Sequence, residues 1–281
     1  MTIKIITDST SDLPEALVKE YDISVIPCFI HVGGESYLDG VDMTRTEFYN
    51  QLPGWENPPT TSAPSPGMFL ETYQKAIDSG ATGIFSIHIS DQLSNVVNVA
   101  RIAAQSLQDK IPIHVFDSGQ LTMGIGLLAK AAAVLAREGK SLEDVASGVV
   151  EKAKRIYTYA ALDTMEFLKR SGRVSHLGAN IGSILQIKPI LKMNAGKSGM
   201  EVQRTRKNAM KRLVTVAKSF SPLEQITMVH TNALERAKEL FEELKILLPE
   251  NINPEYTDVS PVIGSHIGPG AVGLVFETKP K

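Results

Sequence analysis

The chain has 281 residues, about twice an ordinary domain, of which 43% are hydrophobic and 21% charged, the balance of a globular protein rather than a disordered or fibrous one. Its 29 basic and 31 acidic residues leave a net charge of −2, so no overall field draws nucleic acid or an anionic membrane, and no nucleic-acid partner is expected. The one cysteine, Cys28, excludes an internal disulfide and fits a reducing compartment. No stretch reaches the ~20 apolar residues of a membrane span, and the start turns polar after six residues, too early for a secretory leader. The expectation is a cytoplasmic protein without integral membrane contact.

In chain order, residues 3–6 form a short β-rich run that ends in the polar loop Thr7-Asp8-Ser9-Thr10-Ser11-Asp12, after which Pro14 suits the first turn of a helix. A proline-stiffened polar segment, 58–67, leads into a helix predicted over 66–79, whose start its hydroxyls can cap. Residues 83–89 lead through Ser90-Asp91-Gln92 into a helix over 93–107. Residues 113–116 lead through Asp117-Ser118-Gly119-Gln120 into an apolar helix over 124–137. Strands alternating with helices of this length imply parallel pairing through crossovers. The polar loops therefore share one edge of one sheet, where open parallel sheets bind ligands.

After an amphipathic helix over 142–155 and a strand over 157–162, the pattern changes. A short helix and turn at 165–173 precede strands at 187–193 and 200–204, which flank a hairpin signal in Asn194-Ala195-Gly196-Lys197-Ser198-Gly199. Helices over 208–220 and 233–248 alternate with strands at 225–230, 256–259 and 272–276. The expected fold is α/β: an N-terminal parallel α/β/α domain over residues 1–160, carrying the hydroxyl-rich loops, and a C-terminal α/β domain with a mixed sheet over 161–281.

No Gly-x-Ser-x-Gly elbow, Walker loop, dinucleotide glycine loop or His-Glu-x-x-His is present. The six histidines are scattered without ligand spacing, so no metal site is expected. Any single Ser or Thr of the loops reads most simply as a helix cap, but several such loops on one edge suit a carboxylate held by neutral donors. The segment Gly264-Ser265-His266-Ile267-Gly268-Pro269-Gly270 has two readings: a tight turn with an exposed histidine, or a close backbone approach with an imidazole facing an oxyanion. Basic residues cluster at Lys169, Arg170 and Arg173 and at Arg204, Arg206 and Lys207, which reads as solvated surface or as a face for an acidic or phosphorylated partner.

These segments match a known family. Ile5-Ile6-Thr7-Asp8-Ser9-Thr10-Ser11-Asp12-Leu13-Pro14, Thr61-Ser62-Ala63-Pro64-Ser65-Pro66-Gly67, Ile89-Ser90-Asp91-Gln92-Leu93-Ser94, Asp117-Ser118, Leu168-Lys169-Arg170-Ser171-Gly172-Arg173 and His266-Ile267-Gly268-Pro269-Gly270-Ala271 together resemble the DegV family, in its order and across nearly the whole chain. The resemblance implies a two-domain fold with a lipid tunnel between the domains. It also implies one bound long-chain fatty acid as ligand, with no other cofactor, and a separate fatty acid kinase catalytic subunit that turns the acid into an acyl phosphate for phospholipid synthesis. On this resemblance the carboxylate meets Thr61, Ser62, Ser94, the amide of Asn95 and His266, with Arg170 beside the site, and the chain is a carrier rather than an enzyme. Where the family has Gly-Thr-Tyr after Leu-Ser, this sequence has Asn95-Val96-Val97, so the hydroxyl expected at position 96 is missing and Asn95 is the candidate replacement donor. The alternative is a lipid-ester hydrolase with Ser94 or Ser65 as nucleophile and His266 as base, which further needs an orienting group and an oxyanion hole.

Overall fold

The computed structural model describes residues 2–173, 187–248 and 254–280. The N-terminal half contains β1 (Ile3–Asp8), α1 (Glu15–Glu20), β2 (Ser24–Ile26), β3 (Phe29–Val32), β4 (Glu35–Leu38), α2 (Arg45–Gln51), β5 (Thr60–Ser62) and α3 (Pro66–Asp78). It continues with β6 (Gly83–His88), α4 (Val96–Gln105), β7 (Ile113–Asp117), α5 (Met123–Arg137) and α6 (Leu142–Ala153). The rest comprises β8 (Ile156–Ala161), α7 (Glu166–Arg170), β9 (Lys188–Asn194), β10 (Lys197–Gln203), α8 (Arg206–Ser219), β11 (Leu223–His230), α9 (Leu234–Leu244), β12 (Glu255–Asp258), α10 (Pro261–Ile267) and β13 (Val272–Thr278).

Among the described residues the strands form three sheets. The first, in the order β2-β1-β6-β7, is parallel throughout. All six residues of β6 are buried, as expected for a central parallel strand covered on both faces. Because β1, β6 and β7 run the same way, the loops after Asp8, His88 and Asp117 emerge on one edge, as the alternation of strands and helices requires. The second sheet, β10-β9-β8-β13-β11-β12, is mixed, with only β11 and β12 parallel. Its β9–β10 hairpin turns through Ala195 and Gly196, both with positive φ, the conformation that a two-residue turn between twisted strands demands. Helix α5 touches β1 and β6 on one side and β8 and β13 on the other, so one apolar helix serves both sheets.

Strand β8 belongs wholly to the second sheet. Two features differ from the sequence expectation. Residues 29–62 supply a third, antiparallel sheet, β4-β3-β5, and the short β5 lies inside the segment read as a polar loop. The glycine-rich segment around His266 is not a turn alone. Helix α10 runs through His266 and stops where Gly268 takes a φ of 74°, a conformation open to glycine at no steric cost.

Candidate functional site

A cavity of about 300 Å³ opens between the edge of the parallel sheet, β5 and α10. Thr61, Ser62, Ser94, Asn95 and His266, nominated from sequence, all line it. Around them stand apolar side chains, including Leu93, Leu121, Leu191 and Ile263. Those four also line a second cavity of about 60 Å³, which reaches Thr158, Met193 and Val229. The polar groups therefore sit on a space whose remaining wall is mostly hydrocarbon.

Each polar residue is placed by a local rule. Thr61 and Ser62 are on β5, which pairs with β3 in the register Ile30↔Thr61 and Phe29↔Ser62. Ser94 and Asn95 precede α4, with Ser94 N donating to Ser90 O at 3.1 Å. Val96 is buried in the first turn of α4, so the departure from the family's hydroxyl at this position puts hydrocarbon into the core. The Asn95 side chain bends back along the helix, accepting from Asn98 Nδ2 at 2.9 Å.

His266 faces Thr61 across the cavity, with Nε2 2.9 Å from the Thr61 hydroxyl. Burial, then the charge of Arg173, pushes the imidazole down to about 4, so at neutral pH the ring is uncharged and carries one proton. Its Nδ1 is buried without a partner among the described residues. An unpaired buried N–H is the rarer and costlier orphan, which favours the proton on Nε2, donated to Thr61. The Thr61 proton is then free to face a ligand oxygen. Ser62 is backed in the same way: its hydroxyl lies 2.8 Å from His31 Nε2, and His31 Nδ1 lies 2.8 Å from Ser36 Oγ.

Arg170 does not line the cavity; it pairs with Glu166 one turn earlier on α7 and is half exposed. Arg173 occupies the place expected of Arg170, with its guanidinium also donating to Ser171 O at 2.7 Å. Both arginines belong to one run, and only the end of α7 at Arg170 decides which of them turns inward. Thr10 and Cys28 also line the cavity and were not nominated. Thr10 was legible as part of the loop after β1, whereas His31, on a strand of the small third sheet, carried no motif.

Behind Thr10 runs a buried chain of hydrogen bonds. Asp8 Oδ1 accepts from the Thr10 amide at 3.0 Å, and Oδ2 accepts from the Ile89 amide at 3.2 Å and lies 3.0 Å from His88 Nδ1. His88 Nε2 is 2.7 Å from Ser86 Oγ, which accepts from Tyr73 at 2.9 Å. This Ser–His–Asp series has the spacing of a hydrolytic triad, but its three side chains are buried and none lines the cavity. Among the described residues no carboxylate orients the His266 imidazole beside Ser94, and Ser65 is spent as the cap of α3, accepting from Met68 N at 3.3 Å.

A second acidic group lies on the other side of the loop. Asp12 and Asp39 are buried, and burial raises them to about 6 and about 7 respectively, against the lowering effects of Arg45 on Asp12 and of a Ser9 hydrogen bond on Asp39. Asp39 Oδ2 has no partner among the described residues. No group of three His, Cys, Asp or Glu suited to a metal ion occurs among the described residues, nor does a helix long and apolar enough to cross a membrane.

The family model described as "Uncharacterised protein, DegV family" matches residues 2–279. A DegV domain-containing protein of Caldanaerobacter subterraneus is 36% identical, with 99% of each chain covered. Among solved structures, DegV of Bacillus subtilis, a fatty acid binding protein, superposes with a TM-score of 0.87 at 30% identity, covering 99% of this chain and all of that one. A DegV family protein of Thermus thermophilus, described for its fatty acid binding, gives a TM-score of 0.90 at 29% identity with 99% and 100% coverage. The chain belongs to the DegV family.

Proposed function

We propose that the protein binds one long-chain fatty acid, with its carboxylate against Thr61, Ser62, Ser94, the amide of Asn95 and His266 and its tail along the apolar wall, in a tunnel between the N- and C-terminal parts. The observation that carries this reading is the convergence of hydroxyl and imidazole groups, with Arg173 beside them, on a cavity whose remaining lining is mostly apolar side chains. Burial of about fourteen methylenes at ~0.8 kcal/mol each contributes on the order of 11 kcal/mol before entropic costs. Hydroxyl and amide donors then chiefly orient the head group. The fatty acid binding described for the B. subtilis and T. thermophilus relatives supports the same ligand.

The carrier role follows from the same chemistry. Ser62 and Asn95 lie at the exposed rim, so an acid bound beside them stays within reach of a second protein. That partner is a fatty acid kinase catalytic subunit, which forms the acyl phosphate for phospholipid synthesis in the cytoplasm. The chain carries no phosphate-binding glycine loop of its own. The basic run at Arg170, Arg173 and Arg204 is the face proposed for the kinase or its nucleotide, whereas Arg206 is already held by Asp163 at 2.9 Å.

Ser94→Ala and His266→Ala test the site. Each should retain lipid yet lower phosphorylation of the acid by the partner kinase, because losing one donor costs ~1–3 kcal/mol and a misplaced carboxyl reacts poorly. Their combination should depart from additivity, as groups on one ligand do. Strictly additive effects would remove these two residues from a shared carboxylate, and acyl phosphate formation by the chain alone would remove the carrier role.

A further inference from the structure

Helix α10 supplies Val262, Ile263, His266 and Ile267 to the cavity, yet little in its own sequence holds it. It has seven residues, with β-branched side chains and a glycine in its interior, and helices this short are unstable alone. The residue before it, Ser260, makes no side-chain cap of the helix. The start of α10 is fixed from outside, and the carboxylate that fixes it comes from the far end of the chain.

That carboxylate is Asp12, in the loop after β1. Its Oδ1 accepts from the Ser260 amide at 2.9 Å and lies 3.2 Å from Arg45 Nη2, while its Oδ2 accepts from Thr122 Oγ1 at 2.6 Å. Arg45, on α2, also donates to the carbonyl of Asp258, just ahead of α10. Helix α2 and the starts of α5 and α10 therefore meet on one fully buried side chain. Asp12 and Thr122, which bond to each other, are both non-glycine residues with positive φ, at 54° and 49°. Backbone of that kind persists only where its surroundings over-determine it.

We propose that Asp12 is a positioning residue of the head-group site: by holding the Ser260 amide it sets the start of α10, and so the place at which His266 meets Thr61. Asp12 does not line the cavity and acts only through the helix. The inference rests on the reading of this cavity as the carboxylate site, but its first readout does not need the ligand.

Three variants test it. Asp12→Ala removes the acceptor. Ser260→Pro removes the amide donor together with the hydroxyl, at a residue whose φ of −57° a proline ring adopts, and leaves Asp12 in place. Asp12→Asn keeps an oxygen for Ser260 and Arg45 and offers an amide to Thr122, which makes it the conservative rescue. In delipidated protein labelled at histidine, the NMR signals of the His266 ring should shift in Asp12→Ala and in Ser260→Pro and return close to wild type in Asp12→Asn. After loading with [1-13C]oleate, the first two should release the acid about tenfold faster. Wild-type His266 signals in a folded Asp12→Ala or Ser260→Pro protein would overturn the proposal, as would an Asp12→Asn protein as perturbed as Asp12→Ala. Should Asp12→Ala fail to fold, Ser260→Pro decides alone. A wild-type protein that takes up no oleate while the ring signals behave as expected would discard the fatty acid reading and keep the positioning role.

Discussion

The wall of the cavity behind Thr10 and the wall formed by α10 use the same kinds of groups to different degrees of completion. Behind Thr10, Asp8 is met by two backbone amides, the Thr10 hydroxyl and His88, and His88 is met in turn by Ser86. On the α10 side His266 Nδ1 is buried without a partner among the described residues, as is Asp39 Oδ2 in the acidic cluster with Asp12. A satisfied polar network rigidifies, while an incomplete one costs stability and marks where structure gives way first. The Thr10 wall is thus a foundation, and the α10 wall is the part that changes can move without unfolding the protein.

The largest effect should come from attacking the complete network. Asp8→Ala strands two amides, a hydroxyl and an imidazole in the interior, and should cost ~3–5 kcal/mol in urea unfolding. A loss below about 1 kcal/mol would make the two walls equivalent. Gly264→Ala attacks the other wall by packing, since a Cβ there would lie 2.3 Å from the Tyr49 hydroxyl. It should cost ~1–3 kcal/mol and shift α10 away from Thr61, raising ligand release more than Asp8→Ala does at matched stability.

Asp39 sharpens the comparison through pH. Its acid is raised in the folded protein from an ordinary 3.8 to about 7, so the folded state holds a proton that the unfolded state releases. The stability carried by that proton is complete below about pH 4 and is lost as pH climbs through about 7. Wild type should lose about 1–2 kcal/mol more than Asp39→Asn between pH 5 and pH 8, read as melting temperature against pH. Parallel curves would show that Asp39 is not an uncompensated buried acid. Arg170→Ala should do least, changing stability by less than ~0.5 kcal/mol, because its pair with Glu166 is half exposed.

The wall behind Thr10 was legible in the sequence and much of the α10 wall was not. Alternating strands and helices placed the loops after Asp8, His88 and Asp117 on one edge, because period and connection length constrain parallel sheets strongly. The β9–β10 hairpin announced itself through Asn194-Ala195-Gly196. The third sheet escaped because its strands have only three or four residues, too few to show a period. Helix α10 escaped because Pro, Gly and Ser mask a helix held by Asp12 and Tyr49 from elsewhere in the chain. For the same reason the sequence does not separate Arg170 from Arg173: three residues decide which face of a short helix end meets the cavity, and no local pattern records it.

Native mass spectrometry of the protein as purified tests the central claim most directly. The spectrum should contain a one-to-one complex whose excess mass equals a long-chain fatty acid, released on collisional activation and replaced by added oleate. A chain that carries no such mass and takes up no long-chain acid on incubation would contradict the assignment of this cavity to a fatty acid.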